Sequence, residues 1–266
     1  MRPVYKAVAV ASAAALSVTA CGTTTPTVPS KTTTPTVAAT ATAADPTPGA
    51  TANVKTTAPV TAENPLGFNW ATLAPFTGPA VDKFGAASVM SAYRHAVEFS
   101  LMQGYTDLMA KGYDVKPSGF TFVDPYLSAS AQKLWATQVL AALTNHKDTK
   151  APYNVASLTT WDIFSGQDSY TFRKGQVKYV DGTYTFSPGT ASLATVAGQE
   201  QLVLRFTVGR TLRAMEGGKA VLLPLNRDVS YQMVPNGLVD RPWLIDSWHA
   251  KWALGKATPD PQGTTG

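Results

Sequence analysis

Residues 22–64 form a segment that cannot build a hydrophobic core, and this confines folding to the chain that follows. Thirty of these 43 residues are Thr, Ala or Pro, and none is aromatic, Leu or Ile. Such a segment buries too little apolar surface to offset the entropy lost when it becomes ordered. We therefore predict a disordered linker over 21–64, either bare or O-glycosylated in the manner of Thr/Pro-rich stalks. A globular domain is expected at 65–255, with a disordered tail at 256–266.

The first 20 residues have the layout of a secretory signal peptide. Arg2 and Lys6 precede an uncharged run, Ala7 to Ala20, that is 14 residues long and rich in apolar side chains. A helix that spans a membrane needs about 20 such residues, so this run predicts export and removal of the leader. Cleavage is expected between Ala20 and Cys21.

Cys21 is the only cysteine of the chain, and it follows the small residues Val18-Thr19-Ala20. The segment resembles the bacterial lipobox. This resemblance implies a diacylglyceryl group on the Cys21 sulfur and a protein held by lipid at the outer face of the cell membrane. The alternative is an ordinary secreted protein with a chance cysteine at this position. A single cysteine also excludes an internal disulfide and a metal site built from cysteines.

The charge of the chain argues against binding to nucleic acid. The net charge is +5, and it falls to +3 without the two basic residues of the leader. Phosphate backbones require denser positive charge than this. The histidines at 95, 146 and 249 are too scattered to suggest zinc, and we expect neither a metal nor a cofactor.

Two amphipathic helices are predicted in the first half of the globular domain. The first has Asp82 as its N-cap, repeats apolar residues at steps of three and four, and stops at Gly104. The second is predicted to begin at Asp124-Pro125, as N-cap and first helical residue, and to end near Asn145.

Strands are predicted beyond Pro152, where the apolar period changes to two. The first is expected at Val155–Phe164, and short strands follow at 169–172 and 177–180. Asp181-Gly182 is typical of a two-residue hairpin turn, which would pair the residues on either side of it.

Three long alternating strands close the domain, at Gln201–Arg213, Val221–Val234 and Trp243–Trp252. Short turns join them, so neighbours in sequence are expected to pair as an antiparallel meander. Helices followed by a meander predict an α+β fold, with N-terminal helices packed on a curved, mostly antiparallel sheet.

A helix pair followed by long closing strands, the last containing Trp243-Leu244-Ile245-Asp246, resembles the NTF2-like (cystatin-like cone) superfamily. The resemblance covers about residues 81–253 and implies a cone-shaped domain. With the lipobox and the Thr/Pro linker, it extends to actinobacterial cell-envelope lipoproteins, including relatives of Mce-associated proteins. Cone folds include isomerases, dehydratases and binding modules, so the fold leaves the function open.

A cone-fold enzyme would need an acid and a base that face one cavity. The candidates on predicted strands are the polar residues Asp162, Tyr231, Asp246 and His249. Asp246 and His249 are three residues apart, so in a regular strand they face opposite sides and cannot form a dyad unless a bulge intervenes. No nucleophile elbow, metalloprotease motif or phosphate-binding loop is present in the sequence.

The three tryptophans of the last strand suggest a stacking platform for sugars, but their spacing argues against it. In a regular strand Trp248 and Trp252 share a face and Trp243 lies on the other, so all three are expected to cover the core.

Arg210 falls on the apolar side of its strand, where it would meet an anionic group at a cavity mouth or pair with an acid such as Asp228. The helix pairs His95–Glu98 and Arg94–Glu98 are expected to be ordinary exposed pairs. The ligand-binding residues suggested by the sequence are Arg210, Tyr231, Asp246 and Trp248.

Three functions stay open from the sequence. The favoured one is a membrane-anchored cell-envelope lipoprotein, a non-catalytic module that binds an apolar or amphipathic ligand or docks an envelope protein. The first alternative is a small cone-fold enzyme, isomerase- or dehydratase-like, that acts on an envelope metabolite. The second is an exclusion lipoprotein encoded by a phage or another mobile element.

Overall fold

The computed structural model describes residues 58–106, 108, 115–145, 150–163, 169–172, 179–180 and 182–263 of the chain. By its contacts the chain divides into two units, 1–45 and 46–266, and all described residues belong to the second. The predicted signal peptide, Cys21 and the linker up to residue 57 lie outside the described residues.

Two consecutive helices, α1 (Pro79–Phe84) and α2 (Ala86–Met102), follow a short 3-10 helix at Trp70–Thr72. Gly85 separates them with a φ of 82°, a conformation that glycine adopts without steric cost. The prediction of Asp82 as N-cap was wrong, because Asp82 lies inside α1 and Gly85 precedes α2. The apolar period of α2 is confirmed by its buried face: Val89, Ala92, Tyr93, Ala96, Val97, Phe99, Ser100 and Leu101.

A 3-10 helix at Pro117–Tyr126 leads into α3 (Ala129–Thr144). The N-cap of α3 is Ser128, whose hydroxyl accepts a hydrogen bond of 3.2 Å from the Ala131 amide. The predicted start at Asp124-Pro125 was therefore four residues early, since both residues lie in the 3-10 helix. A serine hydroxyl is a preferred acceptor for the unpaired amides of a first helical turn.

The strand predicted at Val155–Phe164 was wrong, because residues Lys150–Thr159 form a helix, α4. Its fully buried apolar residues include Ala151, Val155 and Leu158, which recur at steps of four and three. That spacing belongs to one helical face, and over so few residues it cannot be told from an alternating strand.

The sheet is built on three long strands, β4 (Gln199–Glu216), β5 (Lys219–Pro235) and β6 (Trp243–Leu254). Each pairs antiparallel with the next, which confirms the predicted meander. One face of β4 and β5 packs against α2: the rings of Tyr93 and Phe206 meet edge to face at 5.6 Å. This contact lies within the hydrophobic core of the domain.

Three short strands lie one after another along the other edge of β4: β1 (Tyr170–Thr171), β2 (Thr185–Phe186) and β3 (Thr190–Val196). Tyr179 also bridges to Leu212 of β4. The hairpin predicted around Asp181-Gly182 was therefore wrong, because the residues on its two sides pair with β4 and not with each other.

Thr183 explains why the chain stays on β4 at this point. Its hydroxyl donates to the Val180 carbonyl at 2.7 Å and accepts from the Thr211 amide at 3.1 Å. A side chain thus satisfies the backbone where the ladder is interrupted.

Part of the tail that was predicted to be disordered, 256–266, is paired in the structure. Strand β7 (Thr258–Pro259) pairs with Leu222 and Val221 of β5. β6 pairs with β5 only from Leu225 onward, so the first residues of β5 keep free backbone groups that β7 can bind. Residues 264–266 lie outside the described residues.

The fold class is α+β, with helices and a mostly antiparallel open sheet. Within the described ranges, none of the helices combines the length and the apolar character needed to cross a membrane.

Candidate functional site

Tyr231, one of the residues suggested for ligand binding, is buried in β5 under α2. Its hydroxyl lies 2.9 Å from the Ser100 hydroxyl, and its ring packs against Phe99 and Phe206. Burial raises the pKa of Tyr231, so the phenol stays protonated. These contacts hold α2 on the sheet.

Arg210 is likewise buried, with 6% of its surface exposed. Its guanidinium stacks on the rings of Tyr179 and Tyr184 and donates to the Leu101 carbonyl at 2.9 Å. Leu101 lies in the last turn of α2, where carbonyls lack helical partners and carry partial negative charge. Asp228, the acid that the sequence suggests as a partner of Arg210, accepts instead from the Thr207 hydroxyl at 2.7 Å.

Arg227 is a second buried arginine, and it is not among the site residues suggested by the sequence. It is fully buried and donates to the backbone carbonyls of Ser100 and Ser157. These two residues lie in the last turns of α2 and α4. The signal was available: Arg227 interrupts the buried alternation of Leu223, Leu225 and Val229 along β5. Both arginines thus tie helix ends to the sheet.

Asp246 is the extra residue of a β-bulge, because Gln232 pairs with Ser247 and Met233 pairs with Ile245. Its carboxylate accepts hydrogen bonds from the hydroxyls of Ser128 and Ser130 and from the Gln201 amide. Burial alone would raise the pKa of Asp246, but these three hydrogen bonds outweigh it and hold the pKa below its ordinary value.

The bulge changes which way the tryptophans face. Across the sheet, Trp243 pairs with Pro235 and Trp248 with Tyr231, and both partners belong to the same face of β5. The expectation that Trp243 lies opposite Trp248 was therefore wrong. Trp248 donates to the Asn154 carbonyl at 2.9 Å and meets the ring of Trp135 at 5.8 Å.

The four residues considered for an enzyme do not share a cleft among those described below. Asp162 follows α4 with a φ of 57°. His249 is exposed on β6, beside the ring of Tyr153 at 5.9 Å, and its backbone pairs with Ser230. Tyr231 and Asp246 have the contacts given above.

Among the clefts on the surface of the described domain are two candidates for ligand binding. The larger has a volume of about 320 Å³ and is lined by Leu73–Thr77, Tyr93 and 188–191. Its one titratable side chain is Tyr93, which donates to the Ser187 carbonyl at 2.6 Å. This cleft offers shape and apolar surface without reactive groups.

The second cleft, of about 210 Å³, lies between α2 and the loop that joins β5 to β6, and we call it the α2 cleft. Four of its lining residues, His95, Glu98, Asp240 and Arg241, have acidic or basic side chains, and most of the others are apolar. It is lined by Pro65, His95, Ala96, Glu98, Phe99, Met102, Gln103, Tyr126, Met233, Asp240, Arg241, Trp243 and Ile245.

Glu98 is the unusual group of the α2 cleft. Its Oε1 atom is buried and has no hydrogen-bond partner among the described residues. Burial raises the pKa of Glu98 to about 7, although the nearby charge of Arg94 acts in the opposite direction. The expectation of an ordinary exposed Arg94–Glu98 pair was wrong, because Glu98 is half-buried and Arg94 donates to the Glu63 carbonyl at 3.0 Å.

His95 lies one helical turn before Glu98 and is also half-buried. Its Nδ1–H donates to the Ser91 carbonyl at 3.0 Å, which leaves Nε2 as the acceptor of the neutral ring. Burial lowers the pKa of His95, and the charges of Arg94 and Arg241 lower it further.

The rim of the α2 cleft is held by Arg241. Its guanidinium donates to the Pro125 carbonyl at 2.8 Å and lies 5.0 Å above the ring of Tyr126. The loop is thereby fixed to the 3-10 helix on the far side of the cleft. Beside it, Leu238 and Val239 are exposed.

The α2 cleft therefore combines a shielded carboxyl group, a neutral imidazole and aromatic walls. Within the described ranges, no group of three or more His, Cys, Asp or Glu side chains is placed to hold a metal ion. Comparison of the chain with protein families, curated proteins and solved structures gave no significant match.

Proposed function

We propose that this protein is a lipid-anchored protein of the bacterial cell envelope whose folded domain binds a small amphipathic ligand in the α2 cleft. The observation that carries the binding role is the buried Glu98 Oε1, which has no hydrogen-bond partner in the described part of the chain and lies in a cleft with aromatic walls. A shielded polar atom without a partner costs free energy, and a bound donor would recover it.

The anchor is supported by the leader, by Cys21 at its end and by the Thr/Ala/Pro composition of 22–64. Two acyl chains on Cys21 would hold the protein stably at the membrane. The order of helices and meander supports an NTF2-like cone for the domain. The cone resemblance and the lipobox are independent of each other.

The anchor is tested by expressing the full chain in a bacterium that processes lipoproteins. The wild type is expected to fractionate with membranes, and mass spectrometry of its mature N-terminus is expected to find a diacylglyceryl group on Cys21. Cys21→Ser should be released or left unprocessed, whereas Ser30→Ala in the linker should behave as the wild type. An unmodified Cys21 in the mature protein would contradict the anchor.

A cone-fold enzyme is the second candidate, and the pKa of Glu98 favours it. A carboxyl group with a pKa of about 7 exchanges protons at neutral pH, as general acids and bases do. The test is to incubate the protein with small molecules extracted from envelopes and to follow their masses. Turnover lost in Glu98→Gln would favour this candidate over binding alone.

A further inference from the structure

Aromatic rings and methionine side chains line the α2 cleft, which favours ligands with an apolar body. Phe99, Tyr126 and Trp243 contribute aromatic surface, and Met102 and Met233 contribute polarisable thioethers. Such surfaces bind apolar groups, and aromatic faces also attract cations. The volume of about 210 Å³ lies below the roughly 300–1,000 Å³ of pockets for drug-sized ligands.

The basic groups around Glu98 do not neutralise it. Arg94 points its guanidinium to the Glu63 carbonyl and to the ring of Trp70, at 5.4 Å. Arg241 donates to the Pro125 carbonyl and stacks on Tyr126. Neither forms a hydrogen bond or an ion pair with Glu98 among the described residues.

Beside the donors of Gln103 and Arg241, the α2 cleft offers hydrogen-bond acceptors close to Glu98. His95 uses Nδ1–H on its own helix, so the lone pair of Nε2 is its free function. Asp240 is exposed at the mouth and adds a second carboxylate there. Glu98, His95 and Asp240 thus place acceptors along the cleft that a ligand with N–H groups can satisfy.

We propose that the α2 cleft binds a small organic amine, with its protonated nitrogen on the Glu98 carboxylate and its apolar body against Tyr126 and Trp243. This rests on the proposed function, because it names the ligand of the same cleft. The ammonium group would supply the hydrogen bond that Glu98 Oε1 lacks, and a charge-assisted bond of this kind is stronger than a neutral one.

The affinity of the α2 cleft for an amine should depend on pH. Glu98 must be ionised to bind an ammonium group, and its pKa before binding is about 7. An aliphatic amine keeps its proton up to a pH of about 10. Affinity is therefore expected to rise about tenfold between pH 6 and pH 8. Arg94, His95, Asp240 and Arg241 lie around Glu98. Burial lowers the pKa of His95 below its ordinary value, so its imidazole is neutral at pH 8.

Three probes with one aromatic body test the proposal on the full chain, purified from membranes in detergent. They are 2-phenylethylamine, 2-phenylethanol and phenylacetate, and binding is measured by titration calorimetry at pH 6 and pH 8. We expect 2-phenylethylamine to bind at least tenfold more tightly than the other two at pH 8. We also expect that only its affinity rises with pH.

Glu98→Gln keeps the size of the side chain and removes its charge, so it should weaken amine binding at least tenfold. Asp82→Asn, an exposed acid on α1, is the matched control and should bind as the wild type. If Glu98→Gln does not fold, the pH dependence of the wild type decides alone. An amine that binds no better than the alcohol, or without pH dependence, overturns the proposal.

The outcomes separate this inference from the function on which it rests. Binding of 2-phenylethanol or phenylacetate that exceeds binding of the amine overturns the amine and leaves a ligand-binding cleft. If none of the three probes binds at millimolar concentration, the amine and the proposed binding role both fail.

Discussion

Asp246 of β6 and Ser130 of α3 are joined by a hydrogen bond of 2.7 Å, from the Ser130 hydroxyl to the Asp246 carboxylate. The same carboxylate accepts from Ser128, the N-cap of α3, and from Gln201 of β4. Because Asp246 is the extra residue of a bulge, these bonds connect the bulge with two other elements. The bulge is thereby part of the packing and not a local irregularity.

Asp246→Ala should lower the free energy of unfolding by about 2–4 kcal/mol, because three donors lose a charged acceptor. Urea denaturation at pH 7 measures this. The folded pKa lies below the ordinary 3.8, so the contribution of Asp246 is present above that pH and is lost as the pH falls further. The difference between wild type and variant should therefore shrink towards pH 3. Ser130→Ala, which removes one of the three bonds, should have a smaller effect.

Glu98→Gln should stabilise the protein at high pH. The folded pKa of about 7 exceeds the ordinary 4.5, so ionisation of Glu98 costs stability as the pH rises through 7. After allowance for its partial exposure, we expect the variant to gain about 1–2 kcal/mol over the wild type at pH 8 and little at pH 4. Thermal unfolding at both pH values measures this, and equal differences at pH 4 and pH 8 would contradict the prediction.

Gly104→Ala should destabilise the protein by about 1–3 kcal/mol, because overpacking forces neighbours to move. An added Cβ would collide with the Arg227 guanidinium and with the Ser100 carbonyl, neither of which can retreat from its buried position. Gly119→Ala is the matched control, since its Cβ would meet Leu108 and Val115 at 3.8 Å, an ordinary contact. Equal unfolding midpoints for the two variants would show that the packing around Arg227 is loose.

Asp260→Asn should cost about 1–3 kcal/mol of unfolding free energy, because Asp260 is almost fully buried and pairs with Arg213 at 2.7 Å. Removal of residues 257–266 should cost at least as much, since it also removes β7. Guanidinium denaturation of both variants measures the effect. A truncated chain as stable as the wild type would show that β7 does not contribute to the fold.

The elements that the sequence predicted correctly are those whose signal is long and local. The apolar steps of α2 run over 17 residues, and the alternation of β4 and β5 runs over 18 and 17. An apolar face that continues over so many residues must be buried, and the core of the domain is where it packs. The predictions failed where the signal was short, as at α4, or where it described a turn, as at Asp181-Gly182.

The candidate site depended on contacts that no local pattern contains. The sequence predicted that His95 and Glu98 form an exposed pair on a helix. Both are half-buried in the structure, because the β5–β6 loop, held by Arg241, lies beside α2. That loop lies more than 130 residues away in the chain. A period of 3.6 gives the face of a helix on which a residue lies, but not what covers that face.

Amino-acid order alone determined the α+β class and the meander, because these follow from local periodicity and from hydrophobic content. Only the tertiary structure decided the position of the bulge at Asp246, the common face of Trp243 and Trp248, the buried arginines and the shielding of Glu98. These features depend on which distant groups satisfy a buried polar atom, and that is a property of packing in three dimensions.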